Sequence, residues 1–472
     1  MNFNSLAFIS FFCIVYVAYL LVRRSNRSQN LLLLAASHFF YASWDWRFSS
    51  LLIVSTLIDY TIGRSLDKTQ DQSTRKWLVI ASVVVNLSIL GFFKYFGFFA
   101  ESFVSFVGIF GLEPGFTTLK IILPIGISFY TFQTLGYTLD VYKGEVNAEK
   151  NFFDYALYVS FFPQLIAGPI ERAGNLIPRI KSARSVTVDD LNSGTFLILW
   201  GFFKKVVVAD QLALAVDQIF APSASPGTIS IALAAIMFSF QIYCDFSGYT
   251  DIARGVAKLL GFDLMLNFRL PYFSKNPSDF WRRWHISLSS WIRDYIYIPL
   301  GGNRGSKKRG WANLMIAMAL AGLWHGAAWT FVIWGIYHGL LLTGYSVIQS
   351  RRSGTISEFM NRRIGWTLQV GIMFALVTFG WMIFRAESMT QLGSWVGTLV
   401  QFNTDLPDAF TLKRSIFILP VVAMQLFQLK TNNLSGVLTL SWIRQTAIYA
   451  SIILGIVIFG VMDGDAFIYF QF

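Results

Sequence analysis

A chain of 472 residues with 54% hydrophobic, 17% aromatic and only 14% charged residues lies far from the roughly 25% charge of an average soluble domain. Its 46 Phe, 19 Tyr and 15 Trp and a mean hydropathy of +0.52 leave too little polar surface to solvate a soluble particle, and they exclude a collagenous or disordered chain as well. The net charge of +12, from 38 basic and 26 acidic residues, then needs a reason: nucleic acid, anionic lipid or membrane topology. Cys13 and Cys244 both sit in apolar runs, so no disulfide framework or CxxC site exists.

In chain order, the first apolar run (6–22) precedes Arg23, Arg24 and Arg27, the reverse of a cleavable signal peptide, and predicts a retained anchor with the N-terminus outside. Further runs at 30–44, 48–63, 77–99, 121–139, 194–210, 228–250, 311–329, 331–349, 365–385, 414–429 and 445–462 predict an all-α polytopic membrane protein. It has about 11–12 crossings and both termini outside. Several runs are short of the roughly 20 residues a span needs, so thin or tilted crossings are expected. Two segments, 152–170 and 286–300, have basic residues on the wrong flanks, and Pro163, Gly168 and Pro169 interrupt the first. Both read as re-entrant or interfacial, where broken backbone lines a cavity.

Seven loop segments assigned to the cytoplasm hold 30 of the 38 basic and 13 of the 26 acidic residues, giving +17 there and −5 elsewhere, so the basicity reads as topology and not as nucleic-acid binding. The segment 251–311 alone carries 11 of those basic residues. No soluble domain or repeat interrupts the chain. It reads as one membrane-embedded domain over 1–472, with N-terminal helices at 1–150, a tunnel and core at 151–350, and C-terminal helices at 351–472.

Four histidines narrow the chemistry: His38, His285, His325 and His338. His325 lies in GLWHGAAWTFVIWG (322–335), about 21 Å along a helix counted from Trp311, with Gly322 and Gly326 beside it at helical spacing. An imidazole inside a crossing segment must find a partner or line a water-filled cavity, and burial favours the neutral form that a general base requires. A structural histidine satisfied by a neighbouring carbonyl is the plain alternative.

His285 lies in DFWRRWHISLSSWIRDYIYIPLGGNR (279–304), on the same helical face as Trp281 if that stretch is one helix. Tryptophans and arginines there suit an interfacial belt, yet Arg269, Lys275, Arg282, Arg283 and Arg293 could also clamp a phosphorylated ligand, as the pyrophosphate and 3′-phosphate of coenzyme A would need. In YCDFSGYTDIARG (243–255), Asp245 and Asp251 are placed at the inner end of a span, either as helix-end partners of Arg254 or as substrate contacts. His338 is too far from His325 for a local metal-ligand pair, so no metal site is expected, and His38 among aromatics reads as packing. No GxSxG elbow, Walker loop or Rossmann glycine pattern occurs.

The two histidine segments, with FFPQLIAGPIER (161–172), YCDFSGYTDIARG, FGWMIFRAES (379–388) and the terminal FIYFQF, resemble the membrane-bound O-acyltransferase family in the bacterial branch typified by alginate O-acetylation. The resemblance implies many helices around a central tunnel, an acyl donor entering from the cytoplasm and an acceptor hydroxyl from the other face. It implies His325 as the catalytic residue and His285 as its assistant, a position that is Asn or Asp in several eukaryotic members. Trp281, Arg282, Arg283, Trp284, Arg293, Asp245 and Trp324 become candidates for donor or substrate binding.

The expected activity is acetyl transfer from acetyl-CoA, with no bound cofactor, to an exported polysaccharide such as alginate, directly or through an extracytoplasmic acetyltransferase partner. The expected location is the bacterial inner membrane. Three alternatives stand beside it: D-alanyl transfer to teichoic acid from a carrier-protein donor, a transporter or channel in which His325 relays protons, and a structural scaffold for polysaccharide export.

Overall fold

The computed structural model describes residues 1, 3–111, 121–350, 363–402, 406–461 and 467–468. The terminal FIYFQF is therefore seen only at Phe467 and Ile468. The chain forms two compact units, 1–190 with 256–265, and 191–255 with 266–472.

The first unit contains α1 (Leu6–Leu21), α2 (Asn26–Asp45), α3 (Ser49–Lys68), α4 (Gln72–Leu90), α5 (Phe96–Gly108), α6 (Ile127–Lys143), α7 (Phe152–Ser160) and α8 (Ala173–Lys181). A π turn, Gly91–Tyr95, joins α4 to α5. Side-chain oxygens of Ser5, Ser25 and Asp71 cap α1, α2 and α4, so polar residues just before the apolar runs set where these helices start. Asp59 on α3 is fully buried; it accepts hydrogen bonds from Ser82, from Asn86 at 2.7 Å and from Thr138 at 2.8 Å, tying α4 and α6 to α3.

α7 has 9 residues and cannot cross a bilayer. The chain beyond it, 161–172, is buried irregular backbone, as the proline and glycine breaks predict. At its end Glu171 accepts from Asn175 at 2.7 Å and from the amide of Met265. Burial pushes its carboxyl up to about 7.

The second unit begins within one long helical element: α9 (Val188–Phe202), a π segment (Phe203–Ala209) and α10 (Asp210–Phe220). It packs on α11 (Thr228–Leu259) through paired glycines. A Cβ on Gly201 would stand 2.7 Å from the Gly248 carbonyl oxygen, and one on Gly255 would stand 2.6 Å from that of Gly194. Glycines seven residues apart on both helices thus bring the two backbones into contact.

Next come the short α12 (Pro277–Trp281) and α13 (Ile286–Ile292), then the hairpin of α14 (Lys307–His325) and α15 (Trp329–Ser350). Among the described residues the helices that follow are α16 (Arg363–Arg385), α17 (Met389–Gln401), α18 (Ala409–Ser415), α19 (Ile418–Thr431) and α20 (Trp442–Phe459). The segment 286–300 is α13 plus a π turn and a loop, again too short to span.

Among the described residues, six stretches are long and apolar enough to cross a membrane: Gln72–Gly108, Thr228–Leu259, Trp329–Ser350, Ile364–Arg385, Ala409–Thr431 and Trp442–Phe459. Each falls on a predicted run. The other predicted crossings lie on helices that are shorter or more polar, Leu6–Leu21 being the most apolar of them. The molecule is an all-α, multi-pass membrane protein.

Candidate active site

α14 starts where the Ser306 hydroxyl accepts from the Arg309 amide, and it ends at His325 because Gly326 leaves helical geometry at φ −161°. His325 is therefore the last residue of its helix, about 27 Å from Lys307, and not a mid-helix group. Gly322 and Gly335 fix it in space: a side chain on Gly322 would overlap the Phe331 carbonyl, and one on Gly335 would overlap that of Met318. What the glycines admit is the backbone of α15, not a ligand. The imidazole is 3% exposed, with the rings of Trp334, Trp324 and Phe384 centred 5.0, 5.1 and 5.4 Å away.

His285 is completely buried and has left-handed backbone, φ 42° and ψ 55°, as the N-cap of α13. α12 ends at Trp281, so Trp281 and His285 do not share a helical face, contrary to the single-helix reading. Asn276 caps α12 at the Asp279 amide, and Pro277 at its first position closes the turn that feeds it. Asn267 grips the start of α13: its carbonyl accepts from Ile286 N at 3.0 Å, and its side chain from the Ser287 hydroxyl at 2.7 Å.

A left-handed non-glycine residue costs about 1–2 kcal/mol, so this loop holds His285 in place against local preference. The ring stands edge-on to Phe246 at 4.7 Å and 6.4 Å from the His325 ring, with Trp324 against both. Burial pushes its imidazole down to about 3, so it is neutral at physiological pH.

Cavities flank this pair. One of about 380 Å³ is lined by Trp281, Arg282, Ile286, Leu288 and Arg293, and by Ala321, one helical turn before His325. A second, of about 510 Å³, gathers Arg269, Arg282 and Arg283 around Asp279. The five-residue basic clamp is therefore split. Arg282 borders both cavities, Arg293 only the first, and Lys275 lines a third cavity against α15 and α16. Arg283 is held by Asp279 at 2.8 Å and Arg293 by Asp294 at 2.7 Å.

A further cavity, of about 430 Å³, has Phe331 and Phe384 on one wall and Lys205, Asp210, Gln241 and Asp245 on the other. Arg385, paired with Asp217 at 2.9 Å, also lines it. The Gln241 side-chain oxygen is buried with no hydrogen-bond partner among the described residues. Trp284 lines none of these spaces; it is fully buried against Trp381 and Phe268.

Asp245 lies within α11 and not at its end. It pairs with Lys205 at 2.8 Å, while Asp251 takes Lys204 at 2.6 Å and Arg254 at 3.7 Å. The buried lysines were missed by sequence reasoning, although two adjacent lysines inside the run 194–210 were a visible signal. His338 is buried in an aromatic box, stacked on Phe280 and edge-on to Trp334. His38 is half-buried on α2.

The chain is 44% identical to the protein named probable alginate O-acetylase in Azotobacter vinelandii, over 77% of this chain and 71% of that one. It is 35% identical to a peptidoglycan O-acetyltransferase of Helicobacter pylori, over 82% of this chain and 77% of that one. Identity to a teichoic acid D-alanyltransferase of Bacillus subtilis is 29%, over 58% and 72%. Residues 145–385, which include both histidine segments, match the model of the membrane-bound O-acyltransferase family. The chain belongs to that family and is an O-acyltransferase.

Proposed function

We propose that the protein moves an acetyl group from cytoplasmic acetyl-CoA to a hydroxyl of an exported polysaccharide such as alginate, at the His285–His325 pair. The observation that carries this reading is the position of the pair. Two buried imidazoles lie 6.4 Å apart, beside a basic, partly apolar cavity and a ring's width from a polar one. The excess of basic residues in alternate loops puts Arg269, Arg282, Arg283 and Arg293 in the cytoplasm, where their fixed cations suit the phosphates of coenzyme A. Asp217, Ala328 and Glu387 of the Lys205–Asp245 cavity lie in or next to the connections opposite the basic loops, which supports reading that cavity as outward-facing, with both termini outside and the protein in the bacterial inner membrane.

In this mechanism a His325 ring nitrogen takes the proton of the acceptor hydroxyl as its oxygen attacks the thioester carbonyl. The tetrahedral intermediate collapses, the C–S bond breaks, and the departing thiolate recovers the proton from His325. His285 orients the thioester or stabilises the negative charge that develops on its oxygen. Base catalysis of this kind contributes about 10² to 10⁴ in rate, the rest coming from holding donor and acceptor together. Transfer proceeds to the glycan directly or through an extracytoplasmic acetyltransferase.

Family membership replaces the transport reading. The lower identity and shorter coverage of the D-alanyltransferase relative favour acetyl over D-alanyl transfer. The test supplies radiolabelled acetyl-CoA to purified protein with an alginate oligomer. Label in the glycan or on a partner transferase, lost in His325→Ala, is expected; label accepted only from a D-alanyl carrier protein overturns the reading.

A further inference from the structure

Lys205 is 1% exposed, and two carboxylates meet its ammonium, Asp210 and Asp245, each at 2.8 Å. Carboxylates held in a low-dielectric interior need hydrogen-bond donors to be stable there. Ile468 supplies one: its amide donates to the second oxygen of Asp245 at 2.8 Å. The ring of Phe467 lies 4.7 Å from the Lys205 ammonium, presenting its negative face to the cation, and Tyr249 closes edge-on at 4.9 Å.

The approach to this point is tied down as well. The Val461 amide donates to the Val206 carbonyl at 2.9 Å, and Gln211 donates to the Phe459 carbonyl at 2.7 Å. All of these partners lie on or beside the seven-residue π segment, whose wide turn carries both buried lysines; such segments are concentrated at functional positions.

Lys205, Asp245 and Ile468 line the same cavity as Phe384, whose ring stands against His325. We propose that Asp245 and Lys205 are positioning residues that hold Phe467 and Ile468 in place, Ile468 as part of one wall of the outward cavity, so that the acceptor site is complete only when residues 467–468 are docked. The proposal rests on the reading of that cavity as the acceptor side. Neither residue touches the reacting atoms; each acts through the segment it holds.

The test uses full-length protein with Ile468→Cys in a Cys13→Ser, Cys244→Ala background and measures labelling by a bulky maleimide, acetyl-CoA affinity and acetyl transfer to an alginate oligomer. Asp245→Ala is expected to speed labelling about tenfold or more by freeing the segment. It should cut transfer through the acceptor KM and kcat while leaving acetyl-CoA affinity unchanged.

The exchange Lys205→Asp with Asp245→Lys separates positioning from folding, because it restores an ion pair but leaves no acceptor for the Ile468 amide. Its melting temperature should recover while labelling stays fast and transfer stays low. Full recovery of transfer in the exchanged protein, or slow labelling in Asp245→Ala, overturns the proposal. If labelling responds as expected but the unsubstituted protein transfers no acetyl group from acetyl-CoA, the docking stands and the functional reading fails.

Discussion

The rings of His285 and His325 lie 6.4 Å apart, although one belongs to a strained loop before a short helix and the other ends a long helix. Trp324 touches both, so the pair is held by aromatic packing and by backbone placement. The two histidines should therefore differ in how their loss is felt. His325→Ala is expected to lower transfer by about 10² or more with melting unchanged, as loss of a general base does. His285→Ala should lower both transfer and stability. His285→Asn, a residue that tolerates left-handed backbone, should fold better than Ala at this position. Thermal melts beside single-turnover transfer rates check the order.

The basic cavity gives a prediction on the donor. Arg269→Ala, Arg282→Ala and Arg283→Ala should each raise the KM for acetyl-CoA about tenfold, the loss of one charge-assisted contact. The same variants should use acetyl-pantetheine, which lacks the phosphates, as the parent protein does. Equal losses with both donors would remove the phosphate role.

Packing of α14 on α15 predicts a contrast between two glycines of one helix. Gly335→Ala drives a methyl into the Met318 carbonyl and should reduce folded yield sharply. Gly344 has nothing within 4 Å, so Gly344→Ala should be neutral or stabilise by about 0.5–1 kcal/mol through helix propensity. Detergent melts of the two proteins decide it.

Glu171 predicts a pH dependence. Its carboxyl titrates near 7 in the folded protein and near 4.5 when unfolded, so between these values the folded state holds the extra proton. Its contribution to stability is present below pH 4.5 and is lost as pH rises through 7. The burial of neutral His285 runs the other way, adding stability as pH rises from about 3 to 6.5. Glu171→Gln should accordingly melt higher than the parent at pH 8 and nearly together with it at pH 5. A parallel pair of melting curves would count against this assignment.

The sequence alone determined the class of the protein and its chemistry: apolar runs of spanning length, basic residues in alternate loops, and two histidine segments distinctive enough to carry a family resemblance. These are properties of composition and short-range order, which bilayer thickness and motif spacing translate directly into structure. The broken segments 152–170 and 286–300 were legible for the same reason, since proline, glycine and misplaced charge act locally.

Only tertiary structure decided the rest. It broke the helix between Trp281 and His285, split the basic clamp between cavities, and buried Trp284 against Trp381. It also joined Lys205, Asp245 and Ile468, residues of three distant segments. Such contacts depend on which helix faces meet, and a buried charge reveals its purpose only through the partners that the fold brings to it.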